Sequence, residues 1–349
     1  MADAAADRPR VAITMGDAAG IGPEIIVKTL ADGRVADVCV PVVLGDARVL
    51  ERAMDVARLR LPIRTLGSAA DAEGRPGVLD VLDYADVDPT SHRWGEVHAS
   101  HGAAAVRYTQ EAGRLALTRQ VDAIVSAPLN KYAMHLAGFT FEGHTEILGA
   151  LTETRPAMML LLGTLRMMLF TNHMALRAVC DHVRADRILE RLVLADAALR
   201  DLGIEHPRIA VAGLNPHAGE EGAFGSEERD EIAPGIAAAR ARGIDAVGPL
   251  PGDTVFVKAR DGAYDLTLAL YHDQGLMAAK LLGFGSLVTL LVGLPLIRTS
   301  VGHGTAYDIA GKNVADAHNM GEAIRVASDV AARRRGATTP GLAAGLAPA

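Results

Sequence analysis

Residues 11–24 read VAITMGDAAGIGPE, and this stretch decides the fold class. A short β-rich run ends in Gly16-Asp17; after Gly20 and Gly22 a helix opens with Pro23 in its first turn and Glu24 close by. Both residue types favour a helix N-terminus. A strand that empties through a glycine turn into a helix is the repeating unit of α/β proteins. The alternation continues along the chain: VPVVLG near 40–45, DAIVSA at 122–127, MMLF near 167–170, RIAVAG at 208–213, LTLALY at 266–271 and VTLLVG at 288–293 are strand-like runs separated by helical stretches. The expected class is therefore α/β. Several runs end in polar clusters, PLNK, TNH, LNPHAGE and HDQG among them, and α/β proteins build their sites at the C-terminal ends of strands.

Composition narrows the function. The chain has 349 residues, beyond the roughly 100–200 usual for one domain, so two domains or one large α/β unit are expected. Half the residues are hydrophobic but only 4% are aromatic, which suits Ala, Leu, Val and Ile helices packed on a buried parallel sheet. The net charge of -7, with no basic run, argues against nucleic acid or an anionic membrane as the main partner and leaves a small molecule. Cys39 and Cys180 are far apart in sequence, so neither a disulfide framework nor a cysteine zinc site is expected, and a reducing cytoplasm fits. The start, MADAAADRPR, has no apolar signal core, and the most apolar stretches fall short of the ~18 residues needed to span a bilayer. Residues 1–9 and 336–349 lack periodicity and are read as disordered ends.

Four features could carry chemistry. The glycines at 16–22 match neither the dinucleotide fingerprint nor the phosphate loop, so a ligand-binding loop and a structural tight turn both stay open. His173, His217 and His272 each sit one to four residues past a β-like run, beside Asn172, Asn215 and Asp273. Neutral imidazoles suit a divalent metal, and three protein ligands leave positions open for substrate oxygens; the alternative is three ordinary surface histidines. In FEGHTE, residues 141–146, Thr145 could cap the following helix, whose amides would join the Thr145 hydroxyl and the His144 imidazole around an anion such as phosphate. Arg298, after a Gly-Leu-Pro turn, could grip a carboxylate or phosphate, or make a surface ion pair.

Seven motifs, MGDAAGIGPE, SAPLNK, FEGHTEIL, NPHAGEEGAFG, GPLPGDTVF, YHDQGL and GLPLIRTSVGHGTAYDIAGK, follow in order from residue 15 to residue 312. Together they resemble the 4-hydroxythreonine-4-phosphate dehydrogenase (PdxA) family over nearly the whole folded chain. More distantly, GIGPE and HGTAYDIAGK resemble the isocitrate and isopropylmalate dehydrogenases. The resemblance implies two α/β/α domains with an active-site cleft between them, in a homodimer with shared active sites. One domain would be 10–130 plus 294–335, on the cofactor side; the other, 131–293, would carry the metal, phosphate and dimer contacts.

The resemblance also implies roles. His173, His217 and His272 would hold one divalent metal ion (zinc, cobalt, manganese, nickel or magnesium), His144 and Thr145 the substrate phosphate, while Lys280, Thr289 and Arg298 would contact substrate. The segment His303 to Lys312, with His303, Gly304, Thr305 and Asp308, would wrap the adenosine part of NAD, and Gly20, Ile21 and Gly22 are assigned to the same cofactor site. Two positions depart from the family pattern: Thr289 stands where asparagine is common, and Gly302 where an aspartate is usual. MGDAAGIGPEIIVK and SAPLNK are closer to the branch acting on 4-phospho-D-threonate and 4-phospho-D-erythronate, with dihydroxyacetone phosphate and carbon dioxide as products. The competing readings are 4-phosphohydroxy-L-threonine oxidation in vitamin B6 synthesis, an aromatic dihydrodiol dehydrogenase that would make GHTE pointless, a phosphotransfer enzyme, and a non-catalytic relative. In the implied chemistry the metal lowers the alcohol pKa and stabilises the enolate left by decarboxylation. Lys280 is the first candidate for proton transfer, with Asp253 and Asp273 as rivals.

Overall fold

The computed structural model describes residues 8–336. The run VAIT forms β1 (Arg10–Thr14), in which Val11, Ala12, Ile13 and Thr14 have no exposed surface. Burial on both faces is what an interior parallel strand requires, and it explains a continuous apolar run in place of an alternating one. One twelve-stranded sheet results. Its order is β3 (Ile63–Thr65), β4 (Leu79–Asp83), β2 (Val40–Gly45), β1, β5 (Ala123–Ser126), β12 (Ile297–Val301), β11 (Val288–Val292), β6 (Ala157–Leu162), β7 (Leu165–Leu169), β10 (Leu266–Ala269), β8 (Arg208–Ala212) and β9 (Asp245–Leu250).

The strands from β3 to β12 are mutually parallel. β11 then runs antiparallel to β12, β6 to β11, and β7 to β6. From β7 to β9 the strands are again parallel to one another. The expected α/β class holds, and the helices supply the covering layers. Ala99–Leu117 packs on β1, β2 and β5, while His318–Arg334 lies across β1, β5, β12 and β11 and so covers the seam between the two parallel blocks.

The sheet runs unbroken across the boundary expected at residue 294, where β11 and β12 are hydrogen-bonded neighbours. The larger apolar core joins Val11, Ile13 and Ile124 to Ile188, Ile209 and Leu268. Two halves of one sheet therefore share a core, and a division at 130/131 and 293/294 is a proposal about function more than about packing. A smaller core of Leu165, Met167, Leu169, Ala210, Val255 and Phe256 lies under the second block.

The end segments 1–9 and 336–349 fall outside the described residues except for Arg8, Pro9 and Gly336. Pro9 is buried, and its carbonyl accepts from the Val40 amide at 2.9 Å. Cys39 and Cys180 are both free thiols. Among the described residues no helix is long and apolar enough to cross a membrane.

Candidate active site

Two of the three strand-end histidines meet. β7 and β10 are parallel neighbours with Leu169 opposite Ala269; the chain leaving β7 reaches His173, and that leaving β10 reaches His272, first residue of the helix His272–Gly283. Their rings lie 5.4 Å apart. Gln274, nearly buried, fixes this end of the sheet: its side-chain oxygen accepts from the Leu270 amide at 2.7 Å and its amide donates to the Gly213 carbonyl at 2.8 Å. Burial, then the charges of Lys131 and His272, hold His173 below the usual histidine pKa against the opposing pull of Glu142 and Glu146. The imidazole is neutral at neutral pH and its lone pair is available.

His217 stands apart. It follows β8, which lies beyond β10 from β7, and neighbouring strands are about 4.8 Å apart. It sits on the turn Pro216–Gly222, where His217, Ala218, Gly219, Glu220 and Glu221 all have positive φ. L residues adopt that backbone only at a cost. The buried Glu228 carboxylate holds the turn's approach by accepting from the Leu214 and Asn215 amides and from the Asn215 side chain, at 2.7–2.9 Å. Among the described residues no group of three or more His, Cys, Asp or Glu lies close enough together to hold a metal ion. The expected three-histidine centre is thus not assembled within one chain.

The donor chemistry nevertheless fits a metal at each imidazole. His272 Nδ1 lies 2.7 Å from Asp273 Oδ1, His217 Nδ1 3.1 Å from Glu220 Oε2, and His173 Nδ1 3.9 Å from Glu142 Oε2. At His272 and His217 the hydrogen-bonded carboxylate keeps the proton on Nδ1 and presents Nε2 as the ligand, while the Glu142 carboxylate is too far from His173 for a hydrogen bond.

Near the pair lie Arg298 and His144, two of the residues expected to hold an anion. Arg298, on β12, is 3% exposed, and its Nε donates to Ser126 Oγ at the end of β5, 3.2 Å away. It is not the surface ion pair that the sequence left open. Burial pushes the guanidinium down to about 9, offset in part by the charge of Glu146, and among the described residues no carboxylate lies within ion-pair distance of Arg298. The helix His144–Thr152 begins here with Gly143 at its N-cap and no side-chain cap. Thr145 is therefore in the first turn and is not the expected cap, which leaves the first amides available to an anion. His144 Nε2 is shielded from solvent without a hydrogen-bond partner, and burial, then the Arg298 charge, hold this imidazole well below the usual pKa.

The remaining candidates divide. Thr289 is opposite Ser300 across the β11–β12 pair, so its side chain is on the same sheet face as Arg298, two residues away. At Gly302 a Cβ would fall 2.5 Å from the Leu287 carbonyl oxygen, so backbone packing explains why no aspartate stands there. Lys280, in the last turn of the helix His272–Gly283, and Asp253 and Asp273 are exposed. Of these, Asp273 touches the histidine pair, through His272. Lys131, Ser126, Glu146 and Gln274 were not assigned from sequence. The signal for Lys131 and Ser126 was present, since both lie in SAPLNK at the end of β5.

Gly20, Ile21 and Gly22 are buried. The Ile21 amide donates to the Thr305 carbonyl at 3.0 Å, and a Cβ at Gly20 would lie 3.0 Å from Thr305. At Gly22 it would lie 2.4 Å from the Met15 carbonyl oxygen. These glycines allow close backbone approach, and the turn braces the 303–312 loop from beneath. On that loop Gly304 and Asp308 are exposed, and His303 Nε2 is shielded without a partner.

The family model described as pyridoxal phosphate biosynthetic protein PdxA matches residues 37–327. The chain is 44% identical over 324 residues to D-threonate 4-phosphate dehydrogenase of Pectobacterium atrosepticum, covering 92% of this chain and 99% of that one. It is 42% identical over 332 residues to 4-hydroxythreonine-4-phosphate dehydrogenase of Trichlorobacter lovleyi, covering 94% and 99%. A crystal structure of 4-hydroxythreonine-4-phosphate dehydrogenase from Klebsiella pneumoniae aligns with a TM-score of 0.85 and 45% identity over 93% of this chain and 98% of that one. The family that seven ordered motifs resemble is the one that the chain matches from end to end of its fold: this protein belongs to the PdxA family, whose relatives named here are dehydrogenases.

Proposed function

We propose that the protein is an NAD-linked dehydrogenase, acting in the cytoplasm, that oxidises the secondary alcohol of a small 4-phosphorylated hydroxy acid with loss of carbon dioxide. The substrate is 4-phospho-D-threonate or 4-phospho-D-erythronate, and the product dihydroxyacetone phosphate. Buried Arg298, with no ion-pair partner among the described residues, carries the reading. A charge withdrawn from water costs on the order of several kcal/mol unless it is paired, and a phosphate bound at Arg298, His144 and the first turn of His144–Thr152 supplies the missing anion. The name of the Trichlorobacter lovleyi relative supports a second substrate, 4-phosphohydroxy-L-threonine.

His173 and His272 would hold a divalent metal, and His217 of the partner subunit would complete the set in a homodimer. Apolar side chains near both parts, Met174, Leu176, Met277 and Phe224, are exposed on the single chain, which supports a second copy covering them. The metal, when bound, supplies Lewis acidity that favours the alkoxide and then the enolate. The phosphate contacts would orient the substrate's far end, and the 303–312 loop would hold NAD, which when bound would supply the hydride acceptor; Lys280 would return a proton to the substrate carbon that loses carbon dioxide. NADH formation with a divalent metal and each of the three phosphorylated substrates in parallel tests the reading. Preference for an aldonate phosphate is expected; preference for the amino acid moves the protein to the second reading, and no turnover of any overturns both.

A further inference from the structure

Asp17 has no exposed surface. Its Oδ1 accepts from the Ala19 amide at 2.9 Å, and its Oδ2 accepts from the Tyr307 hydroxyl, also at 2.9 Å. The side chain of Asn130, which caps the helix Lys131–Leu136 by accepting from the Ala133 amide at 2.9 Å, lies beside the Tyr307 hydroxyl. The phenol therefore ties the glycine turn after β1 to the 303–312 loop, beside the SAPLNK segment after β5. Burial pushes the Asp17 carboxyl up to about 6, so at neutral pH it is ionised and the phenol donates to a charge, which makes the bond stronger than a neutral one.

A fourth segment is wedged into this junction. The Gly95 amide donates to the Ala19 carbonyl at 2.8 Å, and His92 Nε2 to the Ala18 carbonyl at 2.9 Å. A Cβ at Gly95 would lie 2.7 Å from the Tyr307 carbonyl oxygen, and a Cβ at Gly311 would lie 2.5 Å from the Trp94 ring. Beside Tyr307, Ala306 is held at φ +42°, a backbone that an L residue does not keep without support. The 303–312 loop thus depends on tertiary contacts for its shape, and Tyr307–Asp17 is a side-chain contact fixing it from a buried anchor.

We propose that Asp17 and Tyr307 are a positioning pair for the dinucleotide: their hydrogen bond holds the 303–312 loop in the shape that receives NAD. This rests on the assignment of that loop to the cofactor. Neither residue touches the reacting atoms, so the pair acts on cofactor affinity and not on the chemical step.

Trp94 is the only tryptophan in the chain and packs on the loop itself, so its fluorescence reports the loop without nucleotide. Tyr307→Phe keeps the ring and removes the hydroxyl; Asp17→Asn keeps an acceptor and removes the charge. With Tyr307→Phe, acrylamide quenching of Trp94 should increase in the free enzyme. The NAD dissociation constant should rise roughly tenfold to a hundredfold, the loss of one hydrogen bond to a charged group, with kcat at saturating NAD within about twofold of wild type. Asp17→Asn should show a smaller rise. Unchanged quenching and unchanged NAD affinity in Tyr307→Phe overturn the proposal, as does a lower Tm with unchanged affinity, since the pair then serves folding alone. Should the wild type fail to bind NAD, the cofactor reading falls; unchanged Trp94 quenching then overturns the loop-holding pair as well, and increased quenching upholds it.

Discussion

The anion pocket and the histidine pair are neighbours, yet one is complete in a single chain and the other is not. Arg298, Ser126 and His144 come from two adjacent strands and one helix start, and all are shielded. His173 and His272 are also on adjacent strand ends, but His217 is a strand further off on a left-handed turn. A phosphate pocket needs donors of one sign and can be finished within one chain. A three-imidazole site needs convergence from several directions, which a second copy can supply.

The comparison can be broken most directly at the histidines. His272→Ala and His217→Ala are each expected to lose at least about a thousandfold in turnover if both ligate one ion. Mixing the two inactive variants under conditions that exchange subunits should restore activity, because half the mixed dimers' sites then carry an intact set; no recovery contradicts a site shared between subunits. Arg298→Met comes next. Loss of a charged contact to phosphate corresponds to about 2–5 kcal/mol, or roughly thirtyfold to several thousandfold in kcat/KM. Tm should hold or rise, since the change removes a buried charge without a paired carboxylate.

Asp17 sharpens the contrast from the cofactor side. Its folded-state pKa, about 6, lies above the ordinary 3.8, so the folded protein binds the extra proton between these values and stability falls as pH rises from about 4 to about 6, then levels. The magnitude is roughly 3 kcal/mol. Asp17→Asn lacks this loss, so its Tm advantage over wild type should grow across that window and stay constant above it; a difference independent of pH contradicts the buried-acid assignment. The smallest effect concerns Thr145. Because Gly143 is the N-cap, Thr145→Ala should change stability by less than about 0.5 kcal/mol, against about 1 kcal/mol for a true cap. A larger drop in thermal melting restores the capping role.

Much of this was legible in the sequence. All seven strand-like runs became strands, and the polar clusters at their ends supplied His173, His272 and the SAPLNK loop. Strand direction was not legible: runs buried on both faces look alike whichever way they point, so the antiparallel insertion of β11 and β6, and with it the continuous sheet, could not be read. The short edge strand β3 and its neighbour β4 passed unseen for want of a long apolar run. Within the site, Arg298 was singled out by its turn but its burial depended on β5 packing beside β12. Gly20 and Gly22 signalled a close approach without saying to what, and the approach to Thr305 and Met15 depended on tertiary structure. The Asp17–Tyr307 bond joins residues 290 apart, beyond any local pattern.

The most direct measurement is NADH formation by wild type and Arg298→Met with 4-phospho-D-threonate and with unphosphorylated D-threonate, in the presence of a divalent metal. Strong preference of the wild type for the phosphorylated acid, collapsing in Arg298→Met while the weak rate on D-threonate stays unchanged, is the expected result. Equal preference in both proteins, or no dependence on the phosphate at all, contradicts the assignment of the buried arginine pocket to the substrate's phosphate.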